Sequence, residues 1–266
     1  LIQTFASNPR YRTADLKRTP IPDNYTKLYP VSGLWRVKQG KLSATAATGN
    51  RGAFAIRYGD VNLTSIKFSG TYMNTTNFEA DTLEAIPSGI RMTQHGGQRQ
   101  INRLPPGTLT PGYDLPLNKR VPVGTFGEVR GTRERWTLPL IDLILEITEV
   151  ESGFDLCYRT DGGLDRVPIE IEFAIEAPGE WETENQVIPV LNGQSSILKS
   201  GRGIFHRGDE GISIGPGSDD HRHWDMRNSE PSEDRFRVLV TLQTPVDHTI
   251  SLRYGTWSVA SNTLIS

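Results

Sequence analysis

A two-residue alternation of apolar and polar side chains is the sequence feature that most constrains the fold. In the segment PLIDLILEITEV, the apolar side chains at 141, 143, 145 and 147 share one face. A helix would need a period near 3.6 residues, so this segment predicts a β-strand with one apolar face. The alternation returns in FDLCYR and in RVPIEIEFAIEA, after turns at 151–153 and 161–163. The three runs predict a meander of strands.

The same pattern recurs along the chain, and it predicts about thirteen strands separated by Gly, Asn and Pro turns. No segment has the pattern of an amphipathic helix. We therefore expect an all-β protein, a two-sheet β-sandwich or jelly roll of mostly antiparallel strands with little helix. In the third run, Glu170 and Glu172 alternate with apolar residues, so they are expected to lie on a solvated strand face.

Length and composition limit the domain count and the partners. The 266 residues fit one sandwich domain, 1–266. The 29 basic and 31 acidic residues give no general attraction to nucleic acid. No apolar run reaches the ~18 residues of a membrane span, and the first residues lack a signal-peptide pattern, so a mature or trimmed chain is expected. A single cysteine, Cys157, excludes an internal disulfide.

Two segments depart from the strand pattern and are predicted to be long loops. Residues at about 94–131 are rich in Pro and Gly, and a second irregular segment covers about 215–234. Long loops on a rigid sandwich commonly carry function. The second loop holds the densest group of titratable side chains, within GSDDHRHWD. We therefore expect the functional site at these loops.

Metal binding is one chemistry that the second loop permits. His221 and His223 would share one face of an extended segment, and carboxylates at Asp219, Asp220 and Asp225 could complete a ligand set. No established metal motif is present. The expectation is therefore either no cofactor or a structural Ca²⁺ held by the three aspartates.

Proton abstraction from an acidic sugar, the reaction of polysaccharide lyases, is a second chemistry. It needs a base, an acid and a donor that neutralises the sugar carboxylate. If the two loops meet, the sequence offers catalytic candidates at His95, His221, His223, Arg222 and Tyr113. Gln94 and Arg99 would then bind substrate. A glycoside hydrolase would instead need two paired carboxylates, which sequence alone does not place together.

Sugar binding without catalysis is the main alternative to an enzyme. Trp224 and Trp181 lie in turn-like segments and could stack on sugar rings. A third alternative is a structural or assembly β-domain that forms homo-oligomers through its strand edges. Whether the protein is an enzyme therefore stays open at this stage.

Three stretches carry a resemblance to a known class of module: WRVKQGKLSATA, PIEIEFAIEAPGEW, and GISIGPGSDDHRHW followed by FRVLVTLQTPVDHTISLRYG. In style they resemble the β-sandwich modules of secreted carbohydrate-active enzymes, including those of polysaccharide lyases and glycoside hydrolases. The resemblance implies a polysaccharide or oligosaccharide partner and a secreted, periplasmic or cell-surface location. It rests on no family motif and assigns no residue a role.

Overall fold

The structure, a computed structural model, describes residues 22–72, 75–96, 99–102, 135–221, 234–258 and 263–265. About two thirds of them lie in β-strands, and a single 3-10 turn at Pro30–Ser32 is the one helical element in these ranges. The predicted all-β class is confirmed. No helix in the described ranges is long and apolar enough to cross a membrane.

Two large sheets form the sandwich. Sheet A has nine strands in the order β1-β2-β3-β4-β5-β13-β19-β16, with β6 paired to β5. Its strands are β1 (Asn24–Tyr29), β2 (Leu34–Gln39), β3 (Leu42–Ala47), β4 (Phe54–Tyr58), β5 (Val61–Tyr72), β6 (Thr75–Asn77), β13 (Pro168–Ile175), β16 (Ser195–Ile197) and β19 (Phe236–Gln243). All of its pairings are antiparallel except β16 with β19.

Sheet B has ten strands in the order β15-β14-β17-β18-β20-β12-β11-β8-β7, with β21 paired to β20. Its strands are β7 (Thr82–Ile86), β8 (Gly89–Gln94), β11 (Ile141–Val150), β12 (Gly153–Gly162), β14 (Gly179–Thr183), β15 (Gln186–Val190), β17 (Gly203–Arg207), β18 (Glu210–Gly215), β20 (Asp247–Ser258) and β21 (Thr263–Ile265). A third, two-stranded sheet pairs β9 (Arg99–Asn102) with β10 (Arg135–Leu138).

The core lies between the inner faces of sheets A and B. Aromatic rings bridge the two layers: Phe154 of β12 packs edge-on against Phe54 of β4 at 5.2 Å and against Trp35 of β2 at 6.0 Å. Farther along, Trp181 of β14 packs on Phe236 of β19 at 5.8 Å. Ring pairs at these separations contribute beyond the apolar area that they bury. Because the inner faces are filled by packed side chains, we look for a ligand site on the outer faces and the loops.

The outer face of β13 corrects one expectation. Glu170 and Glu172 were expected in solvent, but their exposed fractions are 1% and 3%. β13 lies in the middle of sheet A, and longer side chains from its neighbours, Lys67 of β5 and Arg237 of β19, close over Glu172. Alternation along a strand correctly assigned these glutamates to the outer face, but it does not tell whether that face is covered.

The predicted loop regions contain some regular structure. Within 94–131, residues 99–102 form β9, which pairs with β10 just beyond that segment. Within 215–234, Asp219 forms a parallel bridge to Thr241, so the chain there extends the edge beyond β16 alongside β19.

Candidate functional site

The outer face of sheet A contains a concavity of about 720 Å³, which we call the polar concavity. Its lining residues come from β3, the β3–β4 turn, β4, β5, β13 and the residues just before β19: Thr45, Ala47, Asn50, Arg51, Gly52, Ala55, Thr64, Ser65, Lys67, Glu172, Ala174, Asp234 and Arg235. A volume of this size lies within the roughly 300–1,000 Å³ of small-molecule sites.

Small residues on the outer strand faces create the hollow. Ala55 of β4 stands opposite Thr45 of β3, and Ala174 of β13 stands opposite Ser65 of β5. Gly52 adjoins Ser65 so closely that a Cβ on it would lie 3.0 Å from the Ser65 Cβ. None of these side chains is large, so a hollow remains at this part of the face.

Hydroxyl, amide and charged groups line the concavity, and no described aromatic ring does. The Thr64 hydroxyl donates to the carbonyl of Ala174 at 3.1 Å and accepts from Arg235 Nε at 3.2 Å. The carboxylate of Glu172 lies 3.8 Å from Lys67 Nζ and 3.7 Å from Arg237 Nη1. A surface of this polarity suits a ligand rich in hydroxyl groups better than an apolar one.

His95, a candidate catalytic base, is paired with a carboxylate. It follows β8, its side chain is 60% exposed, and its Nδ1 lies 3.0 Å from Asp142 Oδ2. Because a carboxylate accepts hydrogen bonds, Nδ1 carries the proton and Nε2 is the basic nitrogen of the neutral ring. Asp81 accepts from the backbone N–H of His95 at 2.8 Å. The carboxylate therefore fixes the orientation of the imidazole and leaves Nε2 to act as a base.

The Asp142 carboxyl group is tuned by these contacts. Burial opposes its ionisation, but hydrogen bonds from the Gly96 N–H and from His95 outweigh burial and hold the pKa below its ordinary value. Asp142 is therefore a carboxylate at neutral pH and a steady acceptor for the His95 ring.

His221, a second catalytic candidate, is buried, and its ring is hydrogen-bonded to the backbone. It is only 7% exposed, and its Nε2 donates to the carbonyl of Ile169 at 2.7 Å. The Thr241 hydroxyl donates to the His221 carbonyl at 2.9 Å. Because Nε2 is committed to a backbone carbonyl, that nitrogen is not open to a substrate.

The loops that begin near His95 and His221 leave from the same end of the sandwich. Leu143 pairs with both Gln94 and Thr160, and the Thr160 N–H donates to the carbonyl of Val246. These four residues form one row across sheet B, and Val246 follows β19, beside which His221 lies. Gln94 and Val246 are three strand spacings apart, or about 14 Å. His95 and His221 therefore lie toward the same end of the molecule.

The other predicted site residues differ in their placement. Trp181 is fully buried against Phe236, so neither face of its ring is open to a sugar. Gln94 ends β8, and its Oε1 is buried with no hydrogen-bond partner among the described residues. Arg99 begins β9. Tyr113, Arg222, His223, Trp224 and Asp225 lie outside the described residues.

Two of the three aspartates expected to bind metal, Asp219 and Asp220, lie among the described residues, beside β19. Asp219 bridges to Thr241, and the Asp220 N–H donates to the carbonyl of Thr241. Within the described ranges, no group of three or more His, Cys, Asp or Glu side chains could hold a metal ion.

Sequence reasoning missed the polar concavity and the carboxylate partner of His95. One signal for the concavity was present: LSATAA and VNLTSIKFSG alternate apolar residues with small hydroxyl residues, which places the hydroxyl groups on the outer face. Asp142 lies 47 positions from His95, and no local pattern links them. Comparisons with protein-family models, curated proteins and solved structures gave no match.

Proposed function

We propose that the protein is a carbohydrate-active β-sandwich protein and that the polar concavity binds a saccharide. The observation that carries the proposal is a hollow of about 720 Å³ lined by hydroxyl, amide and charged side chains. Sugar hydroxyl groups both donate and accept hydrogen bonds, and the hydroxyls of Thr45 and Ser65 can do the same. Small-molecule sites are concave and need only a few well-placed polar groups to fix orientation.

Filling the hollow tests the proposal. Ala55 lies half-buried on the outer face of β4, so Ala55→Tyr would occupy the concavity without changing the core. We expect affinity electrophoresis on a polysaccharide panel to show retardation of the wild-type protein and loss of that retardation in Ala55→Tyr. Ala55→Ser keeps the hollow and should still bind. Thr249→Tyr, at an exposed position of β20 in sheet B, controls for an added tyrosine.

Two results would count against saccharide binding. Absence of retardation of the wild-type protein on every polysaccharide of a broad neutral and acidic panel would reject it. Equal retardation of wild type and Ala55→Tyr would show that the glycan binds elsewhere. Circular dichroism of each variant separates a lost fold from a lost site.

The His95–Asp142 pair favours a second candidate function, β-elimination of an acidic polysaccharide. The pair supplies an oriented base with an exposed ring, as proton abstraction requires. Lyase action on a uronate polysaccharide would raise absorbance near about 235 nm, and Asp142→Asn should reduce the rate about 100-fold. His248→Gln, at a histidine bonded to the carbonyl of Pro216, is the matched control. No absorbance change on any uronate polymer would exclude the lyase.

A further inference from the structure

The charges around the polar concavity favour anions. Arg51, Lys67 and Arg235 line it, against the carboxylates of Glu172 and Asp234, and Arg51 is paired with Glu79 at 3.1 Å. An adjoining smaller hollow on the same face is lined by Arg36 and Arg57 and by no carboxylate among its described residues. The chain as a whole is slightly acidic, with a net charge of −2. Positive charge is therefore concentrated on this face, where it can attract an anionic ligand.

The negative charge of Glu172 is compensated within the sheet. Its carboxylate lies between Lys67 Nζ and Arg237 Nη1, at 3.8 and 3.7 Å, and its side chain is nearly excluded from solvent. Two cations therefore offset one buried carboxylate. A ligand in the concavity therefore meets little repulsion from Glu172.

Arg235 is the cation that is oriented before any ligand arrives. Its Nε donates to Thr64 Oγ1 at 3.2 Å, and its Nη1 donates to the carbonyl of Asp234 at 2.7 Å. The Thr64 hydroxyl is itself directed at the carbonyl of Ala174. Nη2 has no acceptor among the described residues. A guanidinium held in this way has already lost much of its side-chain entropy, so binding an anion costs less.

We infer that the ligand is an anionic glycan whose acidic group binds Arg235, an inference that rests on the proposed saccharide site. A planar guanidinium can donate two parallel hydrogen bonds to a carboxylate or a sulfate, and such charge-assisted bonds are stronger than neutral ones. The hydroxyl groups of Thr45 and Ser65, farther along the concavity, then contact the sugar ring. The shared chemistry is an oxyanion on a polyhydroxylated chain, either a uronate carboxylate or a sulfate ester.

Matched pairs of polysaccharides test the inference by isothermal titration calorimetry at low salt. Polygalacturonate is compared with its fully methyl-esterified form, and a sulfated galactan with its desulfated, neutral form. We expect the charged member of at least one pair to bind about tenfold more tightly, and salt to weaken it. The pair that shows the difference identifies the acidic group as carboxylate or sulfate.

Arg235→Gln should remove the preference for the charged member, so that the charged and neutral members bind this variant with similar affinity. Arg235→Lys keeps the charge but loses the planar fork, so it should restore only part of the preference. Arg91→Gln removes a cation on sheet B, which is paired with Glu146, and should have no effect. Urea unfolding of each variant confirms that it is folded.

The outcomes separate this inference from the function on which it rests. Equal binding of the charged and neutral members overturns the anionic preference and leaves saccharide binding standing. An undiminished preference in Arg235→Gln overturns the role of Arg235. Binding of no polysaccharide, charged or neutral, overturns the proposed function itself.

Discussion

The buried hydroxyl of Tyr158 should lower the stability of the fold, and Tyr158→Phe should raise it. The ring lies in the core and packs edge-on against Phe68 at 5.2 Å. The hydroxyl is inaccessible to solvent and has no hydrogen-bond partner among the described residues. In the unfolded chain, water satisfies this group. Folding therefore removes its hydrogen bonds and supplies none in return.

The size of the effect follows from two opposing contributions. An unsatisfied buried polar group costs about 1–3 kcal/mol. Removing one oxygen atom leaves a void that costs a few tenths of a kcal/mol, at about 24 cal/mol per Å³. The desolvation cost is larger, so Tyr158→Phe should add about 1 kcal/mol to the free energy of unfolding at pH 7. For a chain of this size, that corresponds to a rise in Tm of roughly 2–4 °C.

Alkaline pH should enlarge the difference. Burial raises the pKa of Tyr158 above its ordinary value of 10.0. Above that pH the unfolded chain releases a proton that the folded chain retains, so wild-type stability falls by about 1.4 kcal/mol per pH unit. The advantage of Tyr158→Phe should therefore grow from about 1 kcal/mol at pH 7 to about 2.5 kcal/mol at pH 11.

Urea unfolding followed by tryptophan fluorescence at pH 7, 9, 10 and 11 measures both effects. Tyr254→Phe is the matched control, because its hydroxyl is partly solvated and lies 3.5 Å from Gln39 Oε1. It should change stability little at pH 7. The reasoning is refuted if Tyr158→Phe is less stable than wild type at pH 7, or if the difference does not grow above pH 10.

Three further substitutions test other parts of the fold. Glu172→Gln removes the carboxylate that lies 3.8 Å from Lys67 Nζ and 3.7 Å from Arg237 Nη1, so it should cost about 3 kcal/mol in urea unfolding; a loss below 1 kcal/mol would show that other groups compensate the two cations. Hydrogen bonding from Lys41 lowers the pKa of Glu210, with burial opposing it. Glu210→Gln should therefore lower Tm at pH 7, and the deficit should shrink as the pH falls below 4.5; a pH-independent deficit would contradict this. A Cβ on Gly203 would overlap the ring of Trp181, so Gly203→Ala should cost about 2 kcal/mol, and Trp181→Phe in the same chain should recover part of it.

Strand identity could be predicted from the sequence because alternation is a local property. The run at 141–150 forms β11 throughout, with its even-numbered residues outward as expected. Whether an outer face is covered depends on neighbouring strands. The sequence therefore predicts which face Glu172 lies on, but not how exposed its side chain is. Lys67, which closes over it, lies on a strand about a hundred positions earlier.

The candidate site was less predictable, because its groups come together only through the sheet order. Arg235 and Thr64 are separated by 171 positions and meet because β13 lies between β5 and β19. For Trp181 the local sequence gave a wrong prediction. The segment APGEWETEN suggests an exposed turn, but the ring is buried, and Gly203 leaves room for it. The polar concavity is created by small residues on adjacent strands, and no pattern within one local segment indicates that these residues adjoin.

The position of β13 in the middle of sheet A also determines the order in which the chain can assemble. The strands β1 to β5 join through consecutive hairpins and can pair as soon as each is synthesised. β13 must then find β5 across a long intervening chain, and β19 must add to β13 later still. Until both have added, sheet A ends in an unpaired strand edge, first that of β5 and then that of β13. Folding should therefore be slow, and a nascent chain that ends before residue 236 should be prone to aggregation.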